Sequence, residues 1–442
     1  MDAATKSRSF NTFCNNIVLD NYENMKTSAK EIAKKLNSVY YGDRDSDSLE
    51  HLFIVGSVGR RTSIKGNSDL DIIFDLPNSE FTKFDNYKTN GQSFLLQEVK
   101  KHLQERYPNT KLKGDGQVVV IDFCKYTVEL VPAFKQSSGG FKYPDSNCGG
   151  SWKYTDPISE QSECAKCECK SNNKYYNFCR IIRSWKNSLG FKFGGLLIDS
   201  LVYEHFKEND FYANFTKDDY FDIFKNLLTY LSKQDKNRKF WFALGSNQHV
   251  NNSDDGIFVI KADESLKKIE NAEKNGDNLD EVLRELLGTD YPVEKKIVEK
   301  AMEEISSFSK TEQFIQNLFP VDIRYNLSLD CIVSENGFNN ELLSRLLQRD
   351  LPKKRWLRHN KKLKFFIKEK DWLKPYDIYW KVRNVGTEAE RRNCVRGQII
   401  RTNSYTQQET TLFQGEHYVE CYLVKNHVCV AKAHIDVPIG TF

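Results

Sequence analysis

The 442 residues contain no apolar run approaching the eighteen that a membrane span needs, and the opening stretch MDAATKSRSFNTFCNN has no apolar core of seven or more. No membrane partner is therefore expected, and the cytoplasm is the expected compartment. One-sided charge is missing too. Lys and Arg number 65 and Asp and Glu 61, a formal net charge of +4, so the chain as a whole is not a polyelectrolyte and nucleic-acid contact would need a local patch. The 11 cysteines are odd in number and scattered through core-like stretches such as VIDFCKY and YVECYLVKNHVCVAK, which speaks against a disulfide framework and suits buried reduced thiols. Repeats and low-complexity tracts are absent. What is left is a globular composition at a length that predicts two domains.

Apolar residues recur at helical intervals from Phe10 to Leu36, after which HLFIVG switches to a strand. FLLQEVKKHLQERY then reads as a helix, and QVVVIDF and TVELVPAF read as strands, so helices lie against a small sheet. From Tyr175 the pattern turns helical through YYNFCRIIRSWKNSL, LLIDSLVYEHF and DDYFDIFKNLLTYLSKQ. FALGSNQHVNNSDDGIFVIKA is read as a loop or short hairpin, followed by helices over Ala262 to Leu287 and Val293 to Ser307 and a short one in TEQFIQNLF. Beyond Asn326 the runs NLSLDCIV, KLKFFIK, YDIYWKV, VRGQIIR, HYVECYLV and VCVAKAHIDV alternate as strands, favouring a small β-sandwich. The expected class is α+β. Residues 1–320 form a bilobal core, with a sheet lobe over about 40–160 and a helical lobe over about 161–320 plus the N-terminal helix; residues 321–442 form a β-rich domain.

The chemistry is concentrated in GSVGRRTSIKGNSDLDIIFDL, Gly56 to Leu76. On a strand, residues i and i+2 share a face about 6.6–7 Å apart, so Asp69 and Asp71 project together. Two carboxylates on one face repel, and a dication relieves that. Magnesium takes oxygen ligands, commonly one or two carboxylates with substrate phosphates, and a pair of such ions suits in-line nucleotidyl transfer. Just upstream, Gly56 and Ser57 offer backbone N–H groups and a hydroxyl where a phosphate can come close, at the start of a helix, with Arg60, Arg61 and Lys65 nearby. A third carboxylate is expected on a neighbouring strand: Glu129 is the better placed, Asp122 the fallback. The bland alternative is a surface Asp-x-Asp with no metal, which the spacing from Gly-Ser and the later VELVPAF strand argue against.

The order GS, SDLD, VELVPAF resembles the nucleotidyltransferases of DNA polymerase beta type, and most closely the bacterial cyclic-oligonucleotide synthases, the CD-NTase or SMODS group, relatives of oligoadenylate synthases and animal cyclic GMP-AMP synthase. The resemblance continues through YPDSNCGGSWKYTDP, CRIIRSWKNSLGFKFGGLLIDSLVYEHF and FWFALGSNQHV, covering about residues 10–310. It implies a polymerase-beta-like core in which Asp69, Asp71 and Glu129 are catalytic and hold two magnesium ions, manganese being able to replace them. Glu129 departs from the family, which more often has Asp there. The resemblance also implies that Gly56 and Ser57 grip a donor triphosphate, and that Arg183 and Lys186, three apart on one helix face, reach toward it. The alternative for that pair is a solvated stripe flanking a core Trp185.

The C-terminal stretch from about Trp372 to Ile439 resembles the β-rich AGS-C sensor domain, which implies an activating ligand of unstated identity. Together these resemblances imply a cytoplasmic synthase that condenses nucleoside triphosphates, ATP among them, into a cyclic di- or trinucleotide second messenger for a separate effector protein in anti-phage (CBASS) defence. The alternatives are synthesis of linear oligonucleotides, nucleotide addition to another acceptor, and a non-catalytic nucleotide-binding sensor.

Two other clusters stand out. CAKCECK supplies Cys164, Cys167 and Cys169 between Cys148 and Cys179; the CxxC spacing is that of zinc ligands, but no second CxxC or paired histidine completes a set, so thiols in or near a helix are expected. The stretch Pro352 to Lys370 carries nine Lys and Arg with Trp356, Phe365 and Phe366 among them, either a nucleic-acid patch or, as favoured here, a solvated linker into an edge strand whose lysines block pairing.

Overall fold

In the computed structural model the described residues are 3–42, 49–67, 69–123, 125–276, 278–292, 312–335, 340–350, 357–368 and 376–440. They divide into two units, Met1–Trp185 with Phe193–Pro292, and Val293–Phe442 with Lys186–Lys192.

In the first unit, helices α1 (Ala3–Asn16) and α2 (Tyr22–Tyr40) replace the single helical stretch expected over Phe10 to Leu36. The break falls where Val18 leaves the helix to bridge Ile64. Strand β1 (Leu52–Ile54) leads into one helical turn, α3 (Gly56–Gly59), and then β2 (Asp69–Asp75). Helices α4 (Asn78–Asp85) and α5 (Gly91–Arg106) cross back over the sheet, followed by β3 (Lys111–Asp115), β4 (Val118–Phe123) and β5 (Tyr126–Lys135). The strand order is β1-β2-β5-β4-β3, with β6 (Phe141–Asp145) pairing β5 and β7 (Ser151–Thr155) pairing β6.

Strands β2 and β5 run parallel, which a tight turn cannot connect and the α4–α5 crossover can. Period-two alternation decides the faces. Leu70, Ile72, Phe74, Val128 and Leu130 are buried against Met25, Ile32 and Leu36 of α2 and Leu95 and Val99 of α5. The alternate positions are left on the opposite face.

The helical part consists of α6 (Pro157–Lys170), α7 (Tyr175–Leu189), α8 (Gly195–Glu208), α9 (Tyr220–Ser232), the hairpin β8 (Phe240–Phe242) and β9 (His249–Asn251), then α10 (Ile257–Asn275) and α11 (Leu279–Leu287). Of the loop or short hairpin expected here, the hairpin is what forms. The helix placed over Ala262 to Leu287 is instead two: it starts earlier, at Ile257, and Gly276 at φ +70° caps its first half in a left-handed conformation. The expected helix over Val293 to Ser307 lies outside the described residues.

The second unit is a sandwich. Strands β10 (Leu329–Ser334), β11 (Glu341–Leu342), β12 (Lys362–Ile367), β13 (Asp377–Arg383), β14 (Arg396–Arg401), β15 (Thr406–Thr410), β16 (Gly415–Lys425) and β17 (Val428–Ile439) form two four-stranded sheets, β11-β10-β12-β15 and β14-β13-β16-β17. Their inner faces share one core containing Cys331, Phe365, Trp380, Cys421 and Leu423. Strand β12, expected at an edge, lies between β10 and β15, so Lys362 and Lys364 project from an internal strand and block no edge. Part of the basic stretch, residues 352–356 and 369–370, lies outside the described residues.

Candidate active site

Strand register builds the acidic face. Asp71 is paired with Glu129 and Asp69 with Thr127 across the parallel β2–β5 ladder, so directly opposed side chains share one face at a strand spacing of about 4.8 Å. Asp69, Asp71 and Glu129 are half-buried there, while their strand neighbours Leu70, Ile72 and Val128 are buried behind. Asp122 lies one strand further, opposite Thr127 on β4, hence about 10 Å from the Asp69 backbone. Glu129 is therefore one strand from the Asp69–Asp71 pair and Asp122 two.

The Gly-Ser turn sits directly on this face. The Val55 N–H donates to the Asp71 carbonyl at 2.9 Å. A Cβ on Gly56 would stand 1.8 Å from Asp71 Oδ2, so only glycine leaves room for that carboxylate. Thr127 Oγ1 donates to Asp69 Oδ1 at 2.6 Å, which orients the Asp69 carboxylate; the sequence reading missed this residue, although it stands two before Glu129 and so had to share its face.

The donor set is hard oxygen, the kind magnesium takes. Among the described residues no three His, Cys, Asp or Glu side chains are gathered as they stand around one metal-sized point. That includes Asp69, Asp71 and Glu129, whose common face is a matter of strand register.

The expected cations are elsewhere. Arg183 is buried and holds Asp199 by two bonds, Nη1 to Oδ1 at 2.6 Å and Nη2 to Oδ2 at 2.9 Å. Asp199 Oδ2 also accepts from Arg60 Nε at 2.8 Å and Thr62 Oγ1 at 2.9 Å, and Arg60 Nη1 donates to Glu160 at 3.0 Å. This network ties the Gly-Ser turn to the helices. The backbone N–H of Arg60 donates to the Gly56 carbonyl and that of Thr62 to the Ser57 carbonyl, at 3.0 and 2.9 Å, so Asp199 fixes the residues that fix the turn. Burial opposes charge on Asp199, but the guanidinium groups of Arg183 and Arg60 hold its carboxyl below the usual range. Burial raises the Glu160 carboxyl, with Arg60 opposing it. A lone aspartate inside the apolar run LLIDSLV is the signal from which this buried ion pair was readable.

Lys186 is counted with the second unit, where its Nζ donates to Asp322 Oδ1 at 3.0 Å and the Ile323 carbonyl at 2.7 Å. Of the other nearby cations, Arg60 is buried in the network, Arg61 is exposed, and Lys65 pairs with Asp290 at 3.4 Å.

The ten described cysteines are free. Cys164 and Cys167 are buried on α6 while Cys169 is exposed, and burial pushes the first two thiols up to about 12. No helix among the described residues is long and apolar enough to cross a membrane.

Residues 4–167 match the family described as the Second Messenger Oligonucleotide or Dinucleotide Synthetase domain, SMODS. Residues 309–440 match the Adenylyl/Guanylyl and SMODS C-terminal sensor domain, AGS_C. Two similar solved structures are of CdnC from E. coli MS115-1, one in complex with HORMA-deltaN and one with ATP. Each has a TM-score of 0.51 and 14% identity and covers 65% of this chain, and respectively 98% and 99% of its own, a likeness of fold. No curated protein matches the chain.

Proposed function

We propose that this chain, which belongs to the CD-NTase nucleotidyltransferases with a SMODS catalytic domain and a C-terminal AGS_C domain, condenses nucleoside triphosphates into a cyclic di- or trinucleotide messenger with loss of pyrophosphate. The observation that carries this reading is the register that sets Asp71 beside Glu129, with Asp69 on the same face and Gly56 directly beneath Asp71. CD-NTases use divalent metals generally. Asp69, Asp71 and Glu129 would hold two magnesium ions, which when bound lower the pKa of an acceptor ribose hydroxyl and screen the charge of the leaving pyrophosphate.

The chain's own residues supply placement. Gly56 leaves room for the Asp71 carboxylate on the acidic face, Gly56 and Ser57 would grip the triphosphate through backbone N–H groups and the serine hydroxyl, and Thr127 holds the Asp69 carboxylate. Arg183 acts behind the turn, through Asp199 and Arg60, as a positioning residue. ATP is among the expected substrates, the AGS_C domain takes the activating ligand, and the product goes to a separate effector in a CBASS-type anti-phage response.

The test is to incubate the full chain with the four labelled ribonucleoside triphosphates and magnesium, treat with phosphatase, and identify products by mass spectrometry. A phosphatase-resistant cyclic product, absent in Asp69→Asn and lost on chelation, is expected. A purely linear product would replace the cyclase reading, and turnover undiminished in Asp69→Asn would remove the assigned site.

A further inference from the structure

The outward face of the β14-β13-β16-β17 sheet is not an ordinary solvated surface. Period-two alternation and register lay out three polar rows across β13, β16 and β17: Tyr379, Tyr422 and Lys432; Lys381, Glu420 and His434; Arg383, Tyr418 and Asp436. The intervening residues, Trp380, Cys421 and Val419 among them, point into the sandwich core.

At the centre of this face Lys381 leaves only 2% of its side chain exposed, an unusual position for a lysine on the outside of a sheet. Its Nζ lies 5.1 Å from the ring centroid of Phe314 and 5.3 Å from that of Tyr418, and 3.1 Å from Glu420. It converges with two other donors on a carboxylate that does not belong to the sheet. Glu312 Oε1 accepts from Lys381 Nζ at 2.9 Å and from the Tyr418 hydroxyl at 2.7 Å, and Arg383 Nη2 lies 3.3 Å from Oε2.

An ammonium, a guanidinium and a phenol gathered on two oxygens of one anion form a recognition geometry for carboxylate or phosphate. The residue filling it comes from a segment held at the rim by Gln313, whose N–H donates to the Gly397 carbonyl and whose Oε1 accepts from the Ile399 N–H. Within these three rows Lys381, Arg383, Lys432 and His434 stand beside Glu420 and Asp436, and Asp377 and Glu416 lie on the same face beyond them.

We propose that Lys381, Arg383 and Tyr418 are an anion-binding site of the AGS_C unit, for a ligand bearing a phosphate or carboxylate, and that Glu312 is its in-chain occupant, displaced when the ligand binds. Glu312 lies near the N-terminal end of the residues that match the AGS_C family, so the occupant and the clamp belong to one unit.

The test uses the full chain labelled on its histidines. The His434 NMR signal, identified by its loss in His434→Gln, reports on the face during titration with inorganic phosphate and, separately, citrate. An in-chain competitor that leaves the clamp free a tenth of the time weakens apparent affinity about tenfold, so Glu312→Ala is expected to reach half-saturation at about a tenth of the wild-type concentration. Lys381→Met should abolish the response. Saturation by phosphate alone or citrate alone names the ligand chemistry. The proposal is overturned if Glu312→Ala, with a cooperative melt retained, shows no saturable shift with either anion, or saturates at the wild-type concentration. Should Glu312→Ala not fold, Glu312→Gln, which keeps the shape and removes the charge, takes its place under the same criteria.

Discussion

Gly56 lies beneath Asp71 so closely that a Cβ built on it would meet Oδ2 at 1.8 Å and the Asp71 Cβ at 2.9 Å. Its φ of +62° is a second, independent demand for glycine. Gly56→Ala is therefore expected to add roughly 1–2 kcal/mol of backbone strain and to push the carboxylate off the acidic face. A displacement of about 1 Å at reacting groups costs on the order of 10²-fold in rate. Product formation should fall by at least that much while a thermal melt still shows a folded protein; near-normal turnover would detach the turn from the site.

The register separates the two candidates for the third carboxylate. Glu129 stands directly beside Asp71, whereas Thr127 intervenes between Asp122 and Asp69. Asp69→Asn, Asp71→Asn and Glu129→Gln are each expected to lower magnesium-dependent turnover by more than about 100-fold, the upper range for losing an outer-sphere partner, while Asp122→Asn leaves it within a few-fold. Thr127→Val should fall between, raising the magnesium concentration needed by about 10–100-fold. Magnesium titrations of the five variants check the order, and an Asp122 effect as large as that of Glu129 would reverse the assignment.

Asp199 joins Arg60 and Arg183 in a fully buried cluster. Asp199→Asn leaves the buried Arg183 guanidinium without its carboxylate and Arg60 with Glu160 alone, and breaking a buried pair in this way costs about 3–5 kcal/mol. Its pH signature follows from the sign of the shift: a carboxyl held below its ordinary range contributes stability that is full above about pH 4 and lost as pH falls through the native value. Denaturant melts between pH 7 and pH 2 should show wild type and Asp199→Asn converging on the acid side. A positioning role adds one further readout, a rise in KM for triphosphate larger than the fall in kcat.

What the sequence made legible were the features that alternation and spacing dictate. The Asp69–Asp71 pair, the β4 and β5 strands and the acid on VELVPAF all follow from a period of two in runs with buried neighbours. The two-layered β-rich C-terminal unit was visible for the same reason. The helix boundaries were lost where a single residue acts: GIFVIKA follows a turn-rich stretch and reads as its continuation, yet it forms the first turns of α10, and Gly276 then ends that helix. The destination of Arg183 and Lys186 was not legible because helix spacing fixes which face a cation shares, and only the tertiary partner, Asp199 for one and Asp322 for the other, fixes what it meets. Strand order was hidden likewise, so Lys362 and Lys364 looked like edge residues until β15 paired with β12.

His434 gives the second unit a pH dependence of the opposite sign. Burial alone would disfavour its imidazolium, but Asp436 at 2.9 Å and Glu420 at 3.6 Å raise it from 6.5 to about 9. A folded-state value above the unfolded one means the stabilisation is complete below about pH 6.5 and disappears as pH rises through about 9. The side chain is 46% exposed, so solvent screens the pair and the effect is expected to be modest. His434→Gln should lower the unfolding midpoint of this unit at pH 6, and most of the gap to wild type should close by pH 9.5, where the wild-type imidazolium has lost most of its charge. Lys381, Lys432 and Tyr418 also stand around this group, so the comparison is made as a difference between the two proteins at each pH. A gap that stays constant from pH 6 to 9.5 would show that the imidazole contributes through packing on Tyr418, whose ring lies 4.8 Å away, and not through its charge.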